Sequence, residues 1–226
     1  MTDLDPAAHR NRFAGEDVYV LGSGPTFNHL DPSFFRGKRL VSTNHGSMSV
    51  LGGVDYLVTK YHRHAREYVE WWPHIPAVTT RWDLGGRGGT PLGDDAPFIV
   101  LDHNVNTGPD WSAADWPAEG EFVATYSTIT TAMHWAAHLG AANVIMVGHD
   151  CGWIDGGGRI PGYRMQADGE DADGDSPLWP EFDRQSRIVK AELVERYGCN
   201  VVSVLPFINA NMEGHHWHSF AGDVNG

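Results

Sequence analysis

The chain has little cysteine. Cys151 and Cys199 are its only two, and no metal-type spacing joins them. A disulfide scaffold is not expected, and a reducing cytoplasm is the expected home. Long hydrophobic runs are also missing; none approaches the roughly 20 apolar residues that a bilayer span requires. The first ten residues are polar and acidic, without the basic-then-apolar order of a signal peptide. Positive charge is scarce: 16 Lys and Arg stand against 29 Asp and Glu, a formal net charge of −13. That field repels nucleic-acid backbones and anionic membranes, so nucleic acid is disfavoured as a partner. The one basic-leaning stretch, Lys60-Tyr61-His62-Arg63-His64-Ala65-Arg66, is short.

Several catalytic signatures are absent as well. There is no Gly-x-Gly-x-x-Gly fingerprint, no P-loop lysine after a glycine loop, and no Gly-x-Ser-x-Gly elbow. There is no His-Glu-x-x-His helix and no Cys-x-x-Cys pair, and the histidines of Glu213-Gly214-His215-His216-Trp217-His218 do not by themselves assert a metal.

What is present reads as one globular domain. The chain has 226 residues, 41% hydrophobic and 20% charged, enough for a single sizeable core. Apolar runs at 17–22, 39–43, 55–59 and 143–148 predict strands, with shorter candidates at 77–80 and 98–101 and a last strand at 200–205. Helices are predicted at 62–72, closed by Pro73, at 127–139, stopped by Gly140, and at 181–197. In that last helix Ile188, Val189, Leu193 and Val194 form the inner face. Glycines at 85–89 mark a loop. A second, longer loop over 151–180 holds five carboxylates between Asp168 and Asp175. Strands alternating with helices imply crossover connections. The expectation is one Rossmann-like α/β domain over 1–226, with a mainly parallel sheet and helices on both faces.

In such a sheet, ligands bind at the carboxyl ends of the strands. Three motifs fall there. Gly22-Ser23-Gly24-Pro25-Thr26 follows the first strand; its glycines allow close backbone approach, and exposed N–H groups can cradle phosphate or ribose oxygens. A tight strand-exit turn uses the same residues. Ser42-Thr43-Asn44-His45-Gly46 follows the second strand; Asn44 and His45 can bond a base or ribose, or the segment can form a turn or a helix cap. Gly148-His149-Asp150-Cys151-Gly152-Trp153 sets a histidine, a carboxylate and the Trp153 ring after the best strand, where an acid–base group belongs. Before that strand, Ser127 and Thr128 open a helix; their hydroxyls can cap it, and its N-terminus favours an anion.

Together these segments resemble the bacterial lipooligosaccharide sialyltransferases, and the related motility-accessory-factor and archaeal 6-hydroxymethylpterin pyrophosphokinase-like domains. Gly22-Ser23-Gly24-Pro25-Thr26 resembles their Gly-Asn-Gly-Pro-Ser opening, and Asn44-His45 falls where the sialyltransferases carry Asn-Gln. Ser127-Thr128, then Leu139-Gly140, then Val147-Gly148-His149-Asp150 is similar to their Thr-Ser-Gly helix leading to Gly-x-Asp-Phe-Tyr. The resemblance runs in order from about Val18 to Asn211.

It implies a glycosyltransferase that takes a nucleotide-activated sugar donor, without a metal, to an unknown glycan or small-molecule acceptor. The nucleotide-binding set would be Gly22, Ser23, Gly24, Pro25, Thr26, Asn44, His45, Ser127, Thr128 and Trp153. The sialyltransferases carry a base histidine after Gly-x-Asp; here no histidine lies between His149 and His215. Asp150 is therefore the leading base, with His149 and His215 behind it, and the 152–180 loop would close over the site. The pterin-kinase branch would instead imply ATP, and magnesium held by Asp150 and its neighbours. A third reading is a non-catalytic nucleotide-binding protein. A homo-oligomer is compatible with the sequence.

Overall fold

The computed structural model describes residues 3–22, 24, 27, 30–43, 46–84, 91–93, 95–104, 108, 110–149 and 179–204. Its strands are β1 (Asp17–Leu21), β2 (Arg39–Thr43), β3 (Tyr56–Thr59), β4 (Ala77–Thr80), β5 (Ile99–Leu101), β6 (Asn143–Val147) and β7 (Asn200–Ser203). They form one seven-stranded sheet in the order β5-β4-β3-β2-β1-β6-β7. Every pairing between these strands is parallel, Val18 opposite Arg39 and Asp17 opposite Asn143 among them. This is the Rossmann-like α/β architecture expected from the sequence.

Parallel strands need cover on both faces, and the side chains divide accordingly. Val18, Val20, Val41, Val58, Val144, Met146 and Val201 point to one face and pack with α3 (Thr128–His138) and α4 (Trp179–Tyr197). Tyr19, Leu21, Leu40, Ile145, Val147 and Val202 point to the other, against Phe27, Leu30 and Phe35. On that second face Leu57 and Ala77 meet α1 (Gly46–Leu51) and α2 (His62–Trp71) through Met48, Ala65 and Tyr68.

α3 is the central helix, buried from Thr128 through Ala137. Ser127 caps it, its Oγ accepting the Ile129 amide at 3.4 Å. At its other end the N-terminal segment supplies partners: the Asn11 and Phe13 amides donate to the carbonyls of His138 and Leu139. Gly140 there has φ +88°, and a side chain would meet the Cα atoms of Asn11 and Ala14 at 3.0 Å. The polar N-terminus is thus part of the fold. His9 is buried, with Nε2 donating to the Asp3 carbonyl and Nδ1 accepting from the Tyr56 hydroxyl, both at 2.8 Å.

Several boundaries differ from expectation. α4 begins at Trp179, so Pro180 belongs to the helix and not to the preceding loop; proline is tolerated in a first turn because the amide there has no intrahelical acceptor. Val194 is not on the inner face; it is 44% exposed, and Val189 and Leu193 make the contact with Ile188 beside them. The segment after β2 leads into a short helix, α1, at the place where the sequence allowed a turn or a helix cap. No helix among the described residues is long and apolar enough to cross a membrane.

Candidate functional site

The chain steps outward from β1 to β5 in one direction, then returns to place β6 on the opposite side of β1. The crevice between the carboxyl ends of β1 and β6 is therefore the topological switch point, where ligands bind in open α/β sheets. Two glycine turns meet there. The Gly22 amide donates to the Val147 carbonyl at 2.7 Å, and the Gly24 amide to the Gly148 carbonyl at 2.8 Å. A Cβ on Gly22 would fall inside the Gly148 carbonyl oxygen and 3.1 Å from Ile129 Cδ1. Gly148 has φ +68°, a conformation that glycine adopts without strain.

This corrects part of the sequence reading. The close approach that Gly22 permits is to the Gly148 backbone, and the Gly22 and Gly24 amides are already bonded, so neither is an open cradle donor. The contact does bring the first turn of α3, through Ile129, against both glycine turns. Thr128 is buried at that helix start and Ser127 is its cap. The first amides of a helix carry partial positive charge.

A polar network holds the approach to α3. Lys60, one residue past β3, is buried; its Nζ donates to the Thr125 carbonyl and, at 2.6 Å, to the Tyr126 carbonyl. Burial pushes its amine down to about 7, while the two carbonyl acceptors favour the charged form. Gln185 of α4 secures the same loop: its Oε1 accepts from the Tyr126 amide at 3.0 Å, and its Nε2 donates to the Gly108 carbonyl and to Glu181. Thr43 ties β2 to the switch point, its hydroxyl donating to the Leu21 carbonyl at 3.0 Å.

Among the described residues, His149 and His103 stand on this edge, as does buried His62, whose Nε2 donates to the Thr80 carbonyl at the end of β4. His149 follows β6, and its Nε2 shares a 2.7 Å hydrogen bond with buried Ser186 Oγ of α4. Burial pushes its pKa down to about 4. His103 follows β5 and is buried; its Nδ1 donates to the Asn104 carbonyl at 2.6 Å, and burial lowers its pKa. Among the described residues, the His103 Nε2 and the Asn104 Oδ1 are buried without a hydrogen-bond partner.

Of the residues singled out in the sequence, Gly22, Gly24, Ser127, Thr128 and His149 are described, and all five lie on the carboxyl edge around the crevice. Ser23, Pro25, Thr26, Asn44, His45, Asp150, Trp153 and His215 lie outside the described residues, as does most of the 151–180 loop. Sequence reasoning missed Lys60, His103 and Gln185. Lys60 sat within the basic-leaning stretch, in which Lys60, His62 and His64 are buried while Arg63 and Arg66 are exposed; its place one residue beyond a strand was the available signal. Among the described residues no group of three or more His, Cys, Asp or Glu stands together as a metal site. Comparison with protein-family models, with curated protein sequences and with solved structures finds no match.

Proposed function

We propose that the β1/β6 crevice binds a nucleotide-activated sugar and that the protein transfers the sugar to an acceptor hydroxyl. One observation carries the reading. The topological switch point of a fully parallel sheet is built from glycine backbone, and the N-terminal turn of a buried eleven-residue helix lies against it. A phosphate there meets the positive end of α3, and the Lys60 and Gln185 bonds to the 125–126 backbone keep that end in place.

The choice of proton acceptor lies between His149 and its neighbour in sequence, Asp150. His149 already shares its Nε2 with the buried Ser186 hydroxyl, so the fold holds its ring in place. We therefore give His149 a holding role and keep Asp150, its neighbour in sequence, as the leading base.

A thermal-shift screen against CMP, UDP, GDP, ADP and ATP, each with and without magnesium, tests this. A ligand at a hundredfold excess over its Kd adds about 2.7 kcal/mol of apparent stability. The expected result is a metal-independent shift with CMP or a nucleoside diphosphate, which names the donor base. A shift only with ATP and magnesium would move the assignment to phosphotransfer. No shift with any nucleotide would sink the reading.

A further inference from the structure

Three adjacent strands, β3, β4 and β5, end in polar side chains on the far side of β2 from the β1/β6 crevice. Lys60 continues the alternation of Tyr56 and Val58 in β3, and His103 continues that of Ile99 and Leu101 in β5, so both stand on the α3 face. Between them β4 ends at Thr80, level with Leu101. Lys60 is close enough for its charge to act on the His103 imidazole.

The hydrogen bonds fix what these groups offer. A carbonyl oxygen only accepts, so the Asn104 carbonyl requires the proton of His103 on Nδ1. A neutral imidazole with that tautomer presents a lone pair at Nε2. The Asn104 Nδ2 donates to the Asp115 carbonyl at 2.6 Å, which fixes the amide and leaves Oδ1 as an acceptor. Two buried acceptors thus stand on consecutive residues with no donor from the described chain, and each such group costs about 1–3 kcal/mol. The backbone beneath them is pinned, with the Phe122 amide donating to the Asp102 carbonyl at 2.7 Å.

We infer that the carboxyl ends of β3, β4 and β5 form a second subsite, in which His103 Nε2 and Asn104 Oδ1 accept hydrogen bonds from two hydroxyls of a polyhydroxylated ligand. A protonated amine would donate equally well, but burying its charge beside two neutral acceptors costs more than burying a hydroxyl. Hydroxyls supply the two donors without that penalty. Naming this ligand the acceptor rests on the transferase reading; the existence of the subsite does not.

The test uses glycerol and the methyl glycosides of glucose, galactose and N-acetylglucosamine as probes, in saturation-transfer NMR with the full chain. At least one probe should bind the wild type, and His103→Phe should weaken it about tenfold or more, the loss expected for one good hydrogen bond to a buried acceptor. The same two proteins are taken through the nucleotide screen, where they should respond alike. Should His103→Phe fail to fold, the side-chain 15N resonance of His103 Nε2 in the wild type decides, since it must move when a binding probe is added. No probe binding the wild type, equal binding to His103→Phe, or an unmoved Nε2 resonance each overturns the subsite. A missing nucleotide response with probe binding intact would sink the transferase reading alone.

Discussion

Gly22 and Gly148 face each other across the ends of β1 and β6 so closely that neither position can take a side chain without moving backbone. Gly22→Ala drives a methyl group into the Gly148 carbonyl, and strand pairing prevents either chain from stepping back. Gly148→Ala adds a different cost, because its φ of +68° strains any residue with a Cβ, besides bringing that Cβ to 3.0 Å from the Gly22 oxygen. Each substitution is expected to lower stability by about 1–3 kcal/mol. Because they strain one contact, the double variant should lose less than the sum of the two singles. Urea unfolding of the four proteins checks this, and strict additivity would show that the contact is not shared. The motif was visible in sequence, but its reason was not: the glycine partner lies 126 residues away, and no local pattern announces which backbone a glycine must admit.

At the scale of elements, the seven strands were legible because buried parallel strands read as short runs of Val, Ile and Leu. Helix α3 was legible from its small residues and Gly140. α1 was not, because six residues rich in Gly and Ser carry no amphipathic period and their helix depends on packing Met48 beneath β3. Nor was the network that holds α3 in place, since it joins Lys60, the Thr125–Tyr126 loop and Gln185 from three separate segments. Lys60→Met tests its importance. The substitution keeps the buried stem but leaves two carbonyls without their donor, an expected loss of about 1–3 kcal/mol. Amide exchange in the first turn of α3 should quicken more than in its centre. The pH dependence supplies a separate sign. With the folded amine down to about 7 and the unfolded one at its usual higher value, the unfolded chain holds the extra proton between those limits. Wild-type stability should then rise as pH rises above 7, and Lys60→Met should remove that part of the rise. An unchanged slope would mean that Lys60 keeps its charge through the bonds to Thr125 and Tyr126.

For the whole molecule, acid is the informative perturbation, because two opposing effects act in separate windows. The chain carries a net charge of −13, and protonating carboxylates near pH 4 relieves that self-repulsion. Buried imidazoles act earlier and in the opposite direction. His134 sits inside α3 with Nδ1 accepting from the Val123 amide at 3.0 Å, so its proton lies on Nε2, which donates to the Tyr197 hydroxyl at 2.5 Å. Burial pushes its pKa down to about 3, as it pushes His149 to about 4. As pH falls from 6.5 the unfolded chain takes up protons that the folded chain refuses, so the unfolded state binds more and stability falls with pH. Each such proton gives a slope of at most about 1.4 kcal/mol per pH unit. The loss should begin near pH 6.5 and continue to about pH 4, before most carboxylates titrate. His134→Gln supplies an acceptor for Val123 and a donor for Tyr197 without a titrating group, so it should flatten that slope by about one proton while leaving stability at pH 8 nearly intact. The check is the free energy of unfolding in urea at half-unit steps from pH 8 to 4. A variant whose slope matched the wild type would show that His134 is charged in the fold, with its Nδ1 turned away from Val123.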